Sequence, residues 1–105
     1  MACPADDAWA IVFLFYSSLH LVDGYLRTKA PRFLSENHGE RNRAIDAAPE
    51  LRQAKPAYRA LKALSEQVRY DPRFVPTGSA FMLAREYAEK IRAIVEPKLQ
   101  SKLAP

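Results

Sequence analysis

The sequence predicts an all-α fold, an up-and-down bundle of four to five helices, and three observations indicate it. Apolar residues recur at helical spacing, most clearly over residues 56–70, and no stretch shows sustained alternation of apolar and polar residues. Prolines also separate the helical stretches. A chain of 105 residues is the size of one domain, so we expect a single bundle over 1–105, with its core at about 6–96 and frayed ends.

The first helix is predicted from Asp6, as N-cap, to about Lys29, because Pro31 stops it and Gly24 is tolerated inside it. Its apolar start resembles a membrane span, but acidic Asp6 and Asp7 precede it and polar residues interrupt it, so no membrane is expected. A helix that is apolar nearly all round is typical of a central position between its own bundle and a second subunit. The sequence therefore predicts a homodimer.

The middle of the chain predicts two more helices. Residues 31–38 form a connection, and "GERNRAIDAA" indicates a short charged helix from about Gly39 to Ala48, stopped by Pro49. An extra turn is expected in "PELRQA". Pro56 then opens a third helix over 56–70, which is amphipathic. The residues predicted to form its inner face are Ala57, Leu61, Leu64 and Val68.

The last helix is predicted to follow the irregular loop "YDPRFVPTG". Either Thr77 or Ser79 caps it, and Pro97 kinks or ends it, which leaves "KLQSKLAP" as a frayed tail or a last turn. The residues predicted for its inner face are Phe81, Ala84, Tyr87 or Ala88, Ile91, and Ile94 or Val95.

Charge and cysteine content limit the partners and the cellular setting that can be expected for this chain. The net charge of +4 and pI of about 9.4 suit a polyanion partner, but the charges are interspersed, so an ordinary basic surface explains them better. A single cysteine, Cys3, has no disulfide partner or nearby metal ligand, which favours a reducing, cytoplasmic setting. We expect no metal and no cofactor.

A stripe along the first helix changes from aromatic to ionisable. Its members, at helical spacing, are Trp9, Phe13, Tyr16, His20, Asp23 and Arg27. His20 and Asp23 are three residues apart and can share a hydrogen bond, so they form either a satisfied polar pair or part of a site supported by Tyr16.

The second candidate site is "ENHGERNR", where His38, Arg41 and Asn42 stand within one turn and Arg43 adds charge. A guanidinium binds a phosphate through two nitrogens and a histidine moves protons near neutral pH, so these residues suit a phosphodiester. The alternative is a solvated, charged first turn. The candidate catalytic residues are accordingly His20, His38 and Arg41, and the candidate phosphate-binding residues are Arg41, Asn42 and Arg43.

The segments "FYSSLHLVDGYL", "HGERNRAI" and "AYRALKALSEQVRY", with a final helix after a proline-containing loop, resemble the HEPN domain. This family of small helical bundles occurs in prokaryotic defence and toxin-antitoxin systems. The resemblance implies a dimeric bundle of four or five helices, which in many members is a metal-independent ribonuclease. Other members bind RNA or nucleotides without cleavage, or act as partners of nucleotidyltransferases.

In the HEPN ribonucleases that the chain resembles, the motif is an arginine, often followed by asparagine, and a histidine four to six positions after the arginine. Arg41 and Asn42 match the first half, but Ile45, Asp46 and Ala47 occupy the histidine positions. Cleavage would then require His20 or His38 as a substitute, so activity stays undecided. We expect a homodimeric domain that binds RNA or a nucleotide phosphate; the alternative is a non-catalytic helical protein–protein interaction module.

Overall fold

The computed structural model describes residues 4–29, 43–75 and 77–103, and these form an all-α bundle without strands. Its helices are α1 (Pro4–Lys29), α2 (residues 43–46 within the described part), α3 (Lys55–Tyr70) and α4 (Gly78–Leu103). A 3₁₀ turn, Pro49–Leu51, joins α2 to α3. The predicted fold class is confirmed.

Helix α1 begins two residues earlier than predicted, at Pro4, and ends at Lys29. Proline suits the first turn because its missing N–H would have no partner there. Asp6 therefore lies inside the first turn and is not the N-cap.

Local chemistry explains the middle of the chain. The prediction of a helix to Ala48 overshoots by two residues, because Ala48 is extended ahead of Pro49. The extra turn that follows is confirmed. Asp46 forms an ion pair with Lys55 at the start of α3, which ties the short helix to the long one.

Helix α4 begins as the cap chemistry predicts. The Ala80 N–H donates to Thr77 Oγ1 at 3.1 Å, so Thr77 is the cap and Ser79 is inside the helix. Two outcomes were predicted for Pro97, an end of the helix or a kink in it. An end is wrong, because α4 continues through Pro97 to Leu103. Pro97 removes one donor to the carbonyl of Ala93, and both residues are exposed, so water can satisfy that carbonyl.

The three long helices alternate in direction along the chain. Helices α1 and α4 run in the same direction: Phe13 and Phe81 border one groove, and a Cβ at Gly24 would lie 3.8 Å from Leu99 Cδ2. Helix α3 runs against both and closes the core. The largest fully buried side chains of that core are Ile11, Phe15, Val22, Leu51, Tyr58, Leu61, Ser65, Ile91 and Val95.

Burial confirms the predicted inner faces. In α3, Ala57 and Leu61 are buried while Leu64 and Val68 are half-buried. In α4, Ala84, Ile91 and Val95 are buried, and the remaining predicted positions are half-buried against the core. Both helices thus obey the 3.6-residue period that their sequences show.

Candidate interaction surface

The outer face of α1 carries aromatic side chains in solvent. Trp9 is 75% exposed, Phe13 70% and Tyr16 40%, and together we call them the aromatic stripe. Phe15, by contrast, is fully buried in the core. The helix is apolar on both sides, but the bundle covers only one of them. Exposed aromatic residues that are contiguous on one face mark an interaction site more often than scattered apolar residues do.

The ionisable end of the same stripe divides between solvent and core. His20 and Arg27 are exposed, whereas Asp23 is 7% exposed and lies on the core side. A histidine sealed inside the bundle is therefore excluded. His20 instead extends the outer face of α1 beyond Tyr16.

The second candidate site lies mostly beyond the part of the chain that the structure describes. His38, Arg41 and Asn42 are outside the described residues, and Arg43 is exposed at the first described position of α2. The described half of the sequence-predicted site therefore consists of Tyr16, His20, Asp23 and Arg43. Of these, Tyr16 and His20 share the outer face of α1.

An arginine that the sequence analysis missed lies at the edge of the aromatic stripe. Arg69 Nη1 donates to Tyr16 Oη at 2.8 Å, and its guanidinium carbon lies 5.5 Å from the Tyr16 ring centre and 4.9 Å from that of Tyr70. Within the described ranges, no carboxylate pairs with Arg69. Cation–π contact of this kind holds the guanidinium and orients the tyrosine ring. Fifty-three residues separate the partners, so no local sequence signal could have shown the contact.

A groove between α1 and α4 lies on the other side of the stripe. It encloses about 480 Å³, and Phe13, Leu14 and Leu21 of α1 face Phe81 and Ala88 of α4 across it. The α4 border of the groove is charged, with Arg85, Glu89 and Arg92. The outer face of α1 therefore continues through an apolar floor onto a charged helix edge.

In the described part of the chain, no group of three His, Cys, Asp or Glu side chains is placed to hold a metal ion. One segment, Ala8–Thr28, is long and apolar enough to cross a membrane, but half of its apolar window is buried inside the bundle. The core helix of a globular protein meets the same criteria, so length and composition alone do not favour either setting.

Comparison with known proteins gives no relative. No protein-family model, no curated protein and no solved structure matches this chain. The resemblance to the HEPN family stays a prediction from the sequence.

Proposed function

We propose that this chain is a non-catalytic helical interaction module that forms a homodimer through the outer face of α1. The observation that carries the proposal is the exposure of Trp9 and Phe13 on α1, the most apolar of the three long helices. Tryptophan, tyrosine and arginine are the residue types that most often dominate binding energy at protein interfaces. Trp9, Tyr16 and Arg69 supply all three on one surface.

The fixed position of the Tyr16 side chain also supports the proposed homodimer. Arg69 holds the Tyr16 hydroxyl and ring in place, so this aromatic side chain loses little conformational freedom on binding. The aromatic stripe is thus partly preorganised, which favours recognition of a partner over random hydrophobic exposure.

Sedimentation equilibrium tests the proposal. We expect the wild-type chain to dimerise, and Trp9→Ala and Phe13→Ala each to raise the dimer Kd by about tenfold or more, as expected when an interface aromatic is truncated. Val75→Ala is the matched control, since Val75 is a 65% exposed apolar residue in the loop before α4. Trp9 is the only tryptophan in the sequence, so a blue shift of its emission with rising protein concentration reports burial of this face directly.

A wild-type chain that sediments as a monomer at every concentration would refute the proposal. So would a dimer that loses affinity equally with Val75→Ala and Trp9→Ala. Circular dichroism of each variant shows whether the helices are retained.

RNA or nucleotide-phosphate binding is the second candidate, and cationic groups favour it. His20, Arg27 and Arg43 are exposed, and Arg69 with Tyr70 offers a guanidinium beside a 72% exposed ring. Arginine and aromatic side chains together suit single-stranded nucleic acid. The HEPN-like reading assigns phosphate contact to Arg41, Asn42 and Arg43.

Fluorescence anisotropy with a labelled mixed-sequence RNA tests this second candidate. Arg41→Ala is expected to weaken binding, and His20→Ala and His38→Ala to abolish any cleavage seen on a denaturing gel. Equal affinity of wild type and Arg41→Ala, or the absence of binding at low salt, would remove the candidate.

A further inference from the structure

A row of alternating charges lies beside the aromatic stripe. Arg85, Glu89, Arg92 and Glu96 are spaced by four, three and four residues along α4 and are joined in pairs. Arg85 Nε lies 3.1 Å from Glu89 Oε1, and Arg92 Nε lies 2.7 Å from Glu96 Oε2. We call this set the charged row. Because its first three members border the same groove as Phe13, it faces the same side of the molecule as the stripe.

The aromatic stripe is too small to hold a stable dimer by itself. An aromatic side chain buries about 150–250 Å², so the exposed fractions of Trp9, Phe13 and Tyr16 amount to roughly 400 Å² per copy. A standard interface takes about 800 Å² from each partner. The missing area has to come from a neighbouring surface, and the groove with the charged row is contiguous with Phe13.

We infer that the partner is a second copy bound antiparallel, with a two-fold axis crossing α1 between Tyr16 and His20. This inference rests on the proposed function and specifies its geometry. An axis perpendicular to α1 reverses both α1 and α4, so each α4 lies against the other α4 in the opposite direction. Read backwards, the charged row is Glu, Arg, Glu, Arg. Arg85 of one copy therefore meets Glu96 of the other, and Glu89 meets Arg92.

The positions of the two helices agree with one common axis. The tip of the Leu99 side chain lies near Gly24, and one groove is bordered by residues 13–21 of α1 and 81–92 of α4. Together these contacts place the centre of the charged row, between Glu89 and Arg92, beside the turn of α1 that holds Tyr16 and His20. A single axis between Tyr16 and His20 therefore centres the charged row and brings Tyr16 of one copy against His20 of the other.

A parallel pair would lose this match. Its axis runs along α1, so α4 of one copy would lie over α3 of the other and the charged row would meet no copy of itself. Charge complementarity therefore selects the antiparallel arrangement, as it selects register and orientation at other interfaces.

Charge reversal with mixing tests the orientation by sedimentation equilibrium. Glu89→Arg creates two Arg–Arg contacts across the axis, and Arg92→Glu creates two Glu–Glu contacts, so each variant alone should dimerise about tenfold more weakly. Mixed in equal amounts, the two variants form a heterodimer with both contacts attractive, and the affinity should return toward that of the wild type. Lys90→Glu is the control, since Lys90 is exposed on α4 outside the charged row.

Each outcome has a distinct meaning. Weakened single variants, rescue on mixing and an unaffected Lys90→Glu support the antiparallel pair. A wild-type dimer whose affinity is unchanged by the reversals, or that mixing does not rescue, overturns the orientation and leaves the homodimer standing. A wild-type monomer refutes the proposed function and the orientation with it. Because mixing restores affinity only through contact between copies, misfolding of either variant cannot produce the rescue.

Discussion

Two buried serines in helices allow a matched test of how much a hydrogen bond to a buried hydroxyl contributes to the stability of this bundle. Ser65 in α3 is fully buried, and its hydroxyl has no hydrogen-bond partner among the described residues. Ser18 in α1 is 5% exposed, and its hydroxyl donates to the Leu14 carbonyl at 2.9 Å. The same substitution, serine to alanine, is therefore expected to change the free energy of unfolding differently at the two sites.

Ser65→Ala should stabilise the protein. A buried hydroxyl without a partner costs about 1–3 kcal/mol, and alanine is a better helix former than serine by about 0.5 kcal/mol. Loss of the oxygen's packing contacts offsets part of this gain, so we expect about 1 kcal/mol of net stabilisation. For a domain of this size that corresponds to a rise in Tm of about 4–8 °C.

Ser18→Ala should be neutral or slightly destabilising. It gains the same helix propensity but loses a hydrogen bond worth about 0.5–1.5 kcal/mol. The Leu14 carbonyl keeps its place in the helix, so no buried acceptor is left unpaired. We therefore expect a difference of about 1–2 kcal/mol between the two variants.

Urea unfolding followed by circular dichroism measures both variants. Each is compared with wild type at several protein concentrations, because dimerisation adds a concentration-dependent contribution to stability. If Ser65→Ala destabilises the protein as much as Ser18→Ala or more, the Ser65 hydroxyl has a partner such as a buried water, and the reasoning fails.

Two further substitutions test the backbone of the long helices. Gly24→Ala should stabilise the protein by up to about 1 kcal/mol, since the new methyl group meets Leu99 Cδ2 at an ordinary 3.8 Å; a lower Tm in a thermal melt would show that the site is tighter than this distance implies. Pro97→Ala restores an N–H toward the Ala93 carbonyl and should add about 1–3 kcal/mol; slower amide exchange beyond residue 97 and a higher urea midpoint are the expected readouts, and an unchanged midpoint would contradict the prediction.

Local sequence signals were sufficient for most of the helices. The apolar period of α3, Pro56 in its first turn and the Thr77 cap act within a few residues, so the chain's own chemistry sets these elements. Pro97 is the exception. Its effect depends on whether the freed carbonyl faces water, and helix packing decides that.

The candidate site depended on packing in the same way. A helix that is apolar on both sides does not show by its spacing which side the bundle covers, so sequence alone could not separate buried Phe15 from exposed Phe13. Spacing likewise could not show that His20 is exposed and Asp23 is buried. The contact between Tyr16 and Arg69 joins helices distant in sequence.

The sequence by itself determined an all-α chain, the approximate limits of its long helices and the inner faces of α3 and α4, because propensity, capping and period are local properties. Only the tertiary structure decided which face of α1 stays in solvent and which groups gather there. Burial is a property of neighbouring helices, and the packing of α3 and α4 on one side of α1 leaves Trp9 and Phe13 exposed on the other.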